Sequence, residues 1–174
     1  ETLLSRQWEG IQRPSHFRGV TTIVSKLFLL TQPHVAVFGE KDFQQAMIIR
    51  QMTRDLHFPI RILLGATLRE KDGLAMSSRN AYLTENQRDQ AKVLYQMIQL
   101  TRKELRLDPH RKWTSSRLGS ATQKLLQATP LIRLDYMAFV DPHTLQQAKT
   151  IRKGIRMLLA AYAGKTRLID NGSL

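Results

Sequence analysis

The segment that most constrains the fold is a short apolar run, Val35-Ala36-Val37-Phe38, cut off by Gly39. A continuous run of this length, stopped by a breaker, is the pattern of a buried parallel strand, because alternation disappears when both faces of a sheet are covered. Upstream, Val20, Ile23, Val24, Leu27 and Phe28 recur at helical spacing, which predicts a helix from about His16 to Leu30, ended by Gln32-Pro33. Downstream, Ala46, Ile49 and Met52 share one stripe of a helix predicted from about Asp42 to Leu56. Ile60 to Leu64, following Pro59, then reads as a second strand ending at Gly65. Helix, strand, helix and strand joined by short links form the βαβ arrangement of a parallel α/β sheet.

After Gly65 the texture changes. Thr67 to Asn80 is polar and contains Gly73, Ser77 and Ser78, so a loop is expected there. One long helix is predicted from about Thr84, where Thr84 and Gln87 fit a capping box, with Ala91, Leu94, Met97, Ile98 and Leu105 as its buried stripe. A shorter helix from about Ser115 to Ala128 is expected to bury Leu118, Ala121 and Leu125. Leu134, Tyr136, Ala138 and Val140 alternate with outward residues as in a strand. Ile155 to Ala163 and Thr166 to Ile169 flank Gly164-Lys165 as a hairpin. The sequence therefore divides into residues 1–67, part of a parallel α/β sheet, and residues 68–174, a small α+β domain.

Composition narrows the classes. About 42% of the 174 residues are hydrophobic, enough for a packed core. No apolar run approaches the ~20 residues that span a bilayer. The absence of cysteine excludes disulfides and thiolate metal sites and fits a cytosolic protein. The five histidines are scattered, with no pair at metal-ligand spacing. The opening Glu1-Thr2-Leu3-Leu4 lacks an initiator Met and reads as the interior of a longer protein. The net charge of +13 is compatible with nucleic acid, a membrane surface or a small anion such as ATP. It is equally compatible with a solvated basic surface that complements an acidic N-terminal portion. Lys and Arg are spread along the chain with no dense basic block, and no aromatic-rich ribonucleoprotein motif accompanies them.

Two segments carry chemistry. Phe38-Gly39-Glu40-Lys41-Asp42-Phe43-Gln44-Gln45 spans the end of a predicted strand and the start of a helix, where open parallel sheets bind ligands. Gly39 lets the backbone approach a ligand, Lys41 offers a point charge to phosphate, and Asp42 can accept a ribose hydroxyl. Asp42 and Gln45 could equally form an ordinary capping box with Lys41 solvated. In Leu74-Ala75-Met76-Ser77-Ser78-Arg79-Asn80, two adjacent hydroxyls beside an arginine suit phosphate oxygens, although this is also a common surface composition. Ala163-Gly164-Lys165-Thr166 is not a P-loop, because Leu159 stands where that loop needs glycine. Asp135-Tyr136 and Asp141-Pro142-His143 read as strand-edge and turn residues.

Taken together, a phosphate-facing Lys after one strand and Met76-Ser77-Ser78-Arg79 after the next resemble the adenylate-forming enzymes that share the class I aminoacyl-tRNA synthetase nucleotide fold. Met76 to Arg79 resembles their Lys-Met-Ser-Lys-Ser loop in relaxed form. Arg13-Pro14-Ser15-His16-Phe17-Arg18-Gly19-Val20, the segment from Phe38 to Gln45, Arg69 to Asn80, and Thr166-Arg167-Leu168-Ile169-Asp170-Asn171 narrow this further. In order and spacing they resemble the pantothenate synthetases, or pantoate–β-alanine ligases, over essentially the whole chain.

The resemblance implies an incomplete Rossmann-like, nucleotidyltransferase-type parallel sheet followed by the C-terminal α+β domain. It implies condensation of ATP with pantoate to a pantoyl adenylate, with magnesium, then attack by the β-alanine amine to give pantothenate and AMP. Carried over, Gly39, Glu40, Lys41 and Asp42 contact ATP, with Lys41 on its phosphates as a supporting catalytic group and Asp42 near the ribose. Gln45 hydrogen-bonds pantoate, Leu68 and Met76 lie against adenine, and Ser77, Ser78 and Arg79 hold phosphates. No protein side chain is assigned as a metal ligand, and no nucleic acid or membrane partner is implied. The implied setting is a cytoplasmic enzyme, a homodimer in its full-length form. Departures are Ser15 and Leu68, where the family usually has Gly and Val, and the absence of the family's paired-histidine motif with its active-site histidine. The 174-residue chain alone is therefore expected to make no pantothenate. The competing readings are another adenylate-forming nucleotidyltransferase with a different acid, and a basic RNA-binding module.

Overall fold

In the computed structural model, residues 3–174 are described, so the reading of the chain's opening at Glu1 and Thr2 lies outside the described residues. The chain divides by its contacts into two compact units, Glu1–Thr67 and Leu68–Leu174.

In the first unit a short helix α1 (Glu9–Gln12) precedes α2 (His16–Thr31), which ends where Gln32 turns left-handed ahead of Pro33 and donates its N–H to Phe28 O at 2.9 Å. Strand β1 (Val35–Gly39) runs parallel to β2 (Arg61–Gly65), with Val35 opposite Arg61 and Gly39 opposite Gly65. Between them a 3-10 turn over Glu40–Asp42 leads into α3 (Phe43–Asp55). Val24 and Phe28 of α2 pack with Ile49 and Met52 of α3, and Ala36, Phe38, Phe58 and Ile62 close the cluster. Phe28 meets Phe38 and Phe58 edge-on, with centroids 6.4 and 5.7 Å apart, a favoured aromatic geometry.

Two expectations change here. The run Val35–Phe38 is covered on one face only: Ala36 and Phe38 point to the helices, whereas Val35 and Val37 are exposed, as is Leu63 beside them. A two-stranded sheet with both helices in the cluster on one side leaves its other face bare. On α2 the buried set is Phe17, Val24 and Phe28, and Ile23 and Leu27 are exposed. The apolar stripe is wider than the surface that α3 and the sheet cover.

The second unit packs α4 (Glu85–Ala91), α5 (Val93–Leu107) and α6 (Ser115–Gln127) with an antiparallel sheet ordered β3 (Ile132–Val140), β4 (Arg156–Ala163), β5 (Thr166–Ser173). The Thr84–Gln87 capping box forms, with each side chain bonding the other residue's backbone N–H. The single long helix expected from Thr84 is two helices broken at Lys92. Ala91 and Val93 are both fully buried, and positions two apart cannot share one face of a straight helix, so the turn between them re-aims the stripe. On α6, Leu118 is fully buried while Ala121 and Leu125 are only partly so. Strand β3 does not alternate throughout: a bulge between Leu134 and Tyr136 sets Asp135 out of register, and Ala138, Phe139 and Val140 are all buried. The bulge aims Asp135 at Arg167, whose Nε and Nη2 donate to it at 3.0 and 2.9 Å. Gly164-Lys165 does turn a hairpin, with Ala163 opposite Thr166 and Gly164 at φ 59°, and β5 continues past Ile169 to Ser173. Asp141 is a turn residue. The Thr144 N–H, then the His143 N–H and the Thr144 hydroxyl, hold its carboxyl below the usual carboxylate value.

Leu118→Ala, made in a Trp8→Phe background and followed by urea unfolding through Trp113, should cost about 2–5 kcal/mol. Leu107→Ala, at a position 70% exposed, should stay within about 0.5 kcal/mol. Equal losses would mean that α6 is not seated on this core.

Candidate functional site

Each unit carries one of the sequence-derived segments. In the first, β1 and β2 end level at Gly39 and Gly65. Gly39 sits in ordinary extended backbone, and a β-carbon there would meet nothing within 4 Å, so neither strain nor packing inside this unit demands glycine. The 3-10 turn Glu40–Asp42 that follows carries Lys41 and Asp42, whose Nζ and Oδ1 lie 3.8 Å apart, with the Lys41 side chain 19% and the Asp42 side chain 50% exposed. The alternative reading of Asp42 as a plain helix cap does not hold. Asp42 stands at the N-cap of α3 but its side chain makes no capping hydrogen bond, because its backbone is in neither the helical nor the usual extended cap conformation.

The next two glutamines have opposite fates. Gln44 is buried, and its Nε2 donates to Leu4 O and Gln7 O at 2.7 Å each while its Oε1 accepts from Glu9 N at 3.1 Å. Gln45, one residue on, is half-buried, and its amide has no hydrogen-bond partner among the described residues. Composition and spacing do not separate these two; the family resemblance singled out Gln45, and the path of the segment Leu4 to Glu9 over α3 is what occupies Gln44.

In the second unit the segment expected to be a loop is a tied turn. Met76 N donates to Leu68 O and Glu70 N to Leu74 O, both at 2.9 Å, and Arg69 and Ala75 form an antiparallel bridge. Gly73 closes it at φ 94°, where a β-carbon would also stand 2.8 Å from Tyr95 Cδ1, so this glycine is required on two counts. Leu74 and Ala75 are buried, each 5% exposed, whereas Leu68 and Met76 stay 72% and 52% exposed at the paired ends of the turn. Two adjacent exposed apolar side chains make a surface against which a flat ring can lie.

Ion pairs fix the base of this turn. Arg69 donates from Nη1 and Nη2 to the two oxygens of Asp170 at 2.7 and 2.8 Å, donates to Gly73 O at 3.1 Å, and lies 3.9 Å over the Tyr95 ring. Glu70 accepts from both Nη atoms of Arg88 at 3.2 and 2.5 Å and from the buried Asn80 amide at 2.8 Å. Those bonds, Arg88's first and Asn80's second, hold the Glu70 carboxyl below the usual value. From that base a 3-10 turn, Ser78–Tyr82, presents exposed Ser78 and Arg79. Ser77 Oγ accepts from Arg79 N at 3.3 Å, and Arg79 Nη1 reaches Arg167 O only at 3.5 Å, so its guanidinium is barely committed. The roles of Asp170, Glu70 and Arg88 were not read from sequence. Asp170 lies 101 positions from Arg69, and no local pattern links them.

Asp170→Ala should cost on the order of 3 kcal/mol, since it strands a guanidinium beside a buried site, and should speed amide exchange at Glu70 and Met76. Glu70, with its folded pKa lowered, contributes stability above the unfolded value of about 4.3 and loses it as pH falls through the folded one. The gap in thermal midpoint between wild type and Glu70→Gln should therefore be open at pH 7 and close below about pH 4. A gap independent of pH would show that the pairing does not contribute.

The family model for pantoate-beta-alanine ligase matches residues 1–173. A pantothenate synthetase of Pelodictyon phaeoclathratiforme is 44% identical over 173 residues, 98% of this chain and 60% of its own length. One from Desulfatibacillum aliphaticivorans is 49% identical over 93% of this chain and 57% of its own. The chain thus spans about 60% of the length of the curated relatives it matches. The crystal structure of the Thermus thermophilus enzyme superposes with a TM-score of 0.91 at 43% identity, covering 99% of this chain and 61% of that one. A pantoate-beta-alanine ligase from Francisella tularensis, solved with "Beta-gamma ATP" and β-alanine, gives a TM-score of 0.71 at 29% identity, covering 99% and 56%. Its α/β fold is thus that of the nucleotidyltransferase-like pantothenate synthetases, and the chain belongs to the pantoate–β-alanine ligase family.

Proposed function

We propose that this chain serves an ATP-dependent ligase that joins pantoate to β-alanine through a pantoyl adenylate. The observation that carries the reading is the match of residues 1–173 to one enzyme family. The two compact units are read as its domains, residues 1–67 from the nucleotide-binding sheet and residues 68–174 as the C-terminal domain. In the reaction, a pantoate carboxylate oxygen attacks the α-phosphorus of ATP and the bond to pyrophosphate breaks. The β-alanine amine then attacks the acyl carbon, AMP departs with the bonding pair, and the amine loses a proton.

The exposed and partly exposed side chains of the two segments support the division of roles. Gly39, Glu40, Lys41 and Asp42 meet ATP at the end of β1, Lys41 neutralising charge on phosphate and Asp42 accepting a ribose hydroxyl. Gln45, with its amide uncommitted, orients pantoate. Leu68 and Met76 flank adenine, and Ser77, Ser78 and Arg79 grip phosphate oxygens. Their work is alignment and charge neutralisation, which act most where charge builds on the leaving pyrophosphate. Magnesium is read as entering with ATP, as part of the substrate. The full-length protein is read as a cytoplasmic homodimer. Ile23, Leu27 and Leu30 lie exposed on one side of α2, an apolar face of the kind that subunit contacts cover.

The test is pantoate-dependent ATP–pyrophosphate exchange in a chimera that restores the uncovered part of the Thermus thermophilus relative. Lys41→Ala should lower the rate at least about 30-fold, the effect of losing about 2 kcal/mol of transition-state stabilisation, without loss of folding. Gln45→Ala should raise the KM for pantoate more than that for ATP. A Lys41→Ala rate above about a third of the parent's removes the phosphate role. Exchange driven equally well by unrelated carboxylic acids overturns the choice of pantoate.

A further inference from the structure

The second unit contains a cleft of about 770 Å³ that the proposed reaction does not use, lined by Arg102, Leu105, Arg106, Pro109, Ile151, Arg152, Lys153 and Leu174. Four of these eight residues are cations, and no acidic side chain lines the cleft. None of the four cations makes an ion pair among the described residues, although Arg69, Arg88, Lys92 and Arg167 of the same unit all do. Four like charges in one concavity, with the terminal carboxylate of Leu174 as the one negative group in the lining, leave a positive excess that stabilises an added anion there.

The cations are also held in place. Arg102 Nε donates to Ser173 O at 2.8 Å, and Arg106 Nε donates to Arg102 O at 3.2 Å. Each guanidinium is thus anchored by one nitrogen and keeps its terminal amino groups for a ligand. Arg152 and Lys153 sit on a turn closed by Ile155 N to Arg152 O at 3.1 Å, with Gly154 at φ 93°. That turn is stitched to Leu174 by bonds of 2.9 Å from Gly154 N and 2.8 Å to Ile155 O. The rest of the lining is apolar: Ile151 is 1% exposed, and Leu105 and Leu174 pack on the core.

The cleft is separate from the phosphate-facing turn. Arg79 touches β5 at Arg167, and Arg102 touches it at Ser173. Six residues of extended strand separate those points by roughly 20 Å.

We infer that this cleft binds a small phosphate ester with an apolar body, the phosphate on Arg102, Arg106, Arg152 and Lys153 and the body on Leu105, Ile151 and Leu174. The volume falls in the range of small-molecule sites, about 300–1,000 Å³. Nucleic acid is the weaker fit, because no aromatic side chain lines the cleft to stack a base.

The probes are 1-naphthyl phosphate, inorganic phosphate, 1-naphthol and poly(U), titrated into the whole chain by calorimetry and methyl NMR. 1-Naphthyl phosphate should bind at least about tenfold more tightly than inorganic phosphate or 1-naphthol, and shift the methyls of Leu105, Ile151 and Leu174. Arg106→Gln with Lys153→Gln should weaken it about tenfold or more, as loss of charge-assisted contacts implies. Should the double variant lose its dispersed spectrum, Lys153→Gln alone, on an exposed turn, carries the same expectation. Equal affinity for the three small probes, indifference to the substitutions, or shifts confined to Ser77–Arg79 would overturn the site. So would tighter poly(U) binding that falls steeply with salt, which marks an open polyanion surface. None of these readouts depends on ligase activity, so the result stands apart from the fate of the proposed reaction.

Discussion

Much of the second unit is organised around the Arg69 guanidinium. It joins the turn after the first unit, helix α5 and the last strand: two oxygens of Asp170, one carbonyl at Gly73 and the face of Tyr95. Such a pair is stable only if its geometry is good and its remaining donors are satisfied, since desolvating two charges is expensive. Here the fork is bidentate, and Asp170 Oδ1 also accepts from Asn171 N at 2.7 Å. Glu70 does the same for the other end of the segment by gathering Asn80 and Arg88. Ser77, Ser78 and Arg79 therefore project from a fixed base, and only their own side chains need ordering when a ligand arrives. Restricting freedom to the tip lowers the entropy that these side chains would lose in holding any ligand.

The sequence made the elements legible wherever one local rule decided them. Periodicity located α2 and α3, Pro33 ended α2, the Thr84–Gln87 pair marked the start of α4, and Gly164-Lys165 marked the hairpin. It was misleading where burial depends on what covers a face. Val35 and Val37 read as fully buried, yet only one side of the β1–β2 sheet is packed. It was silent where two local rules collide, as at Lys92, where keeping both Ala91 and Val93 inside breaks the helix. The candidate site followed the same division. Lys41, Ser78 and Arg79 were visible as residue types in a pattern, but the ion pairs that seat the turn join residues far apart in sequence.

The adjacent glutamines illustrate the limit most sharply. Gln44 and Gln45 share a residue type, a helix turn and a neighbourhood, so composition and spacing treat them alike, and only the family resemblance singled out Gln45. Gln44 uses both ends of its amide on Leu4, Gln7 and Glu9, and so fastens the N-terminal segment to α3. Gln45 keeps its amide uncommitted. A buried amide must satisfy its donors and acceptor within the protein, so burial turns one glutamine into a structural bolt, while partial exposure leaves the other uncommitted.

The same accounting explains the net charge of +13, from 27 basic and 14 acidic side chains. In the second unit carboxylates are drawn into pairs: Asp170 with Arg69, Glu70 and Asp72 with Arg88, Asp89 with Lys92, and Asp135 with Arg167. Each pair ties loop, helix or strand together, and each removes an acid that could have screened a surface cation. Among the cations that make no such pair are Arg79 near one end of β5 and Arg102, Arg106, Arg152 and Lys153 at the other. A surface that merely needed solubility could interleave both signs. A fold that spends its acids on internal pairing leaves cations positioned by the backbone, and cations so positioned recognise anions.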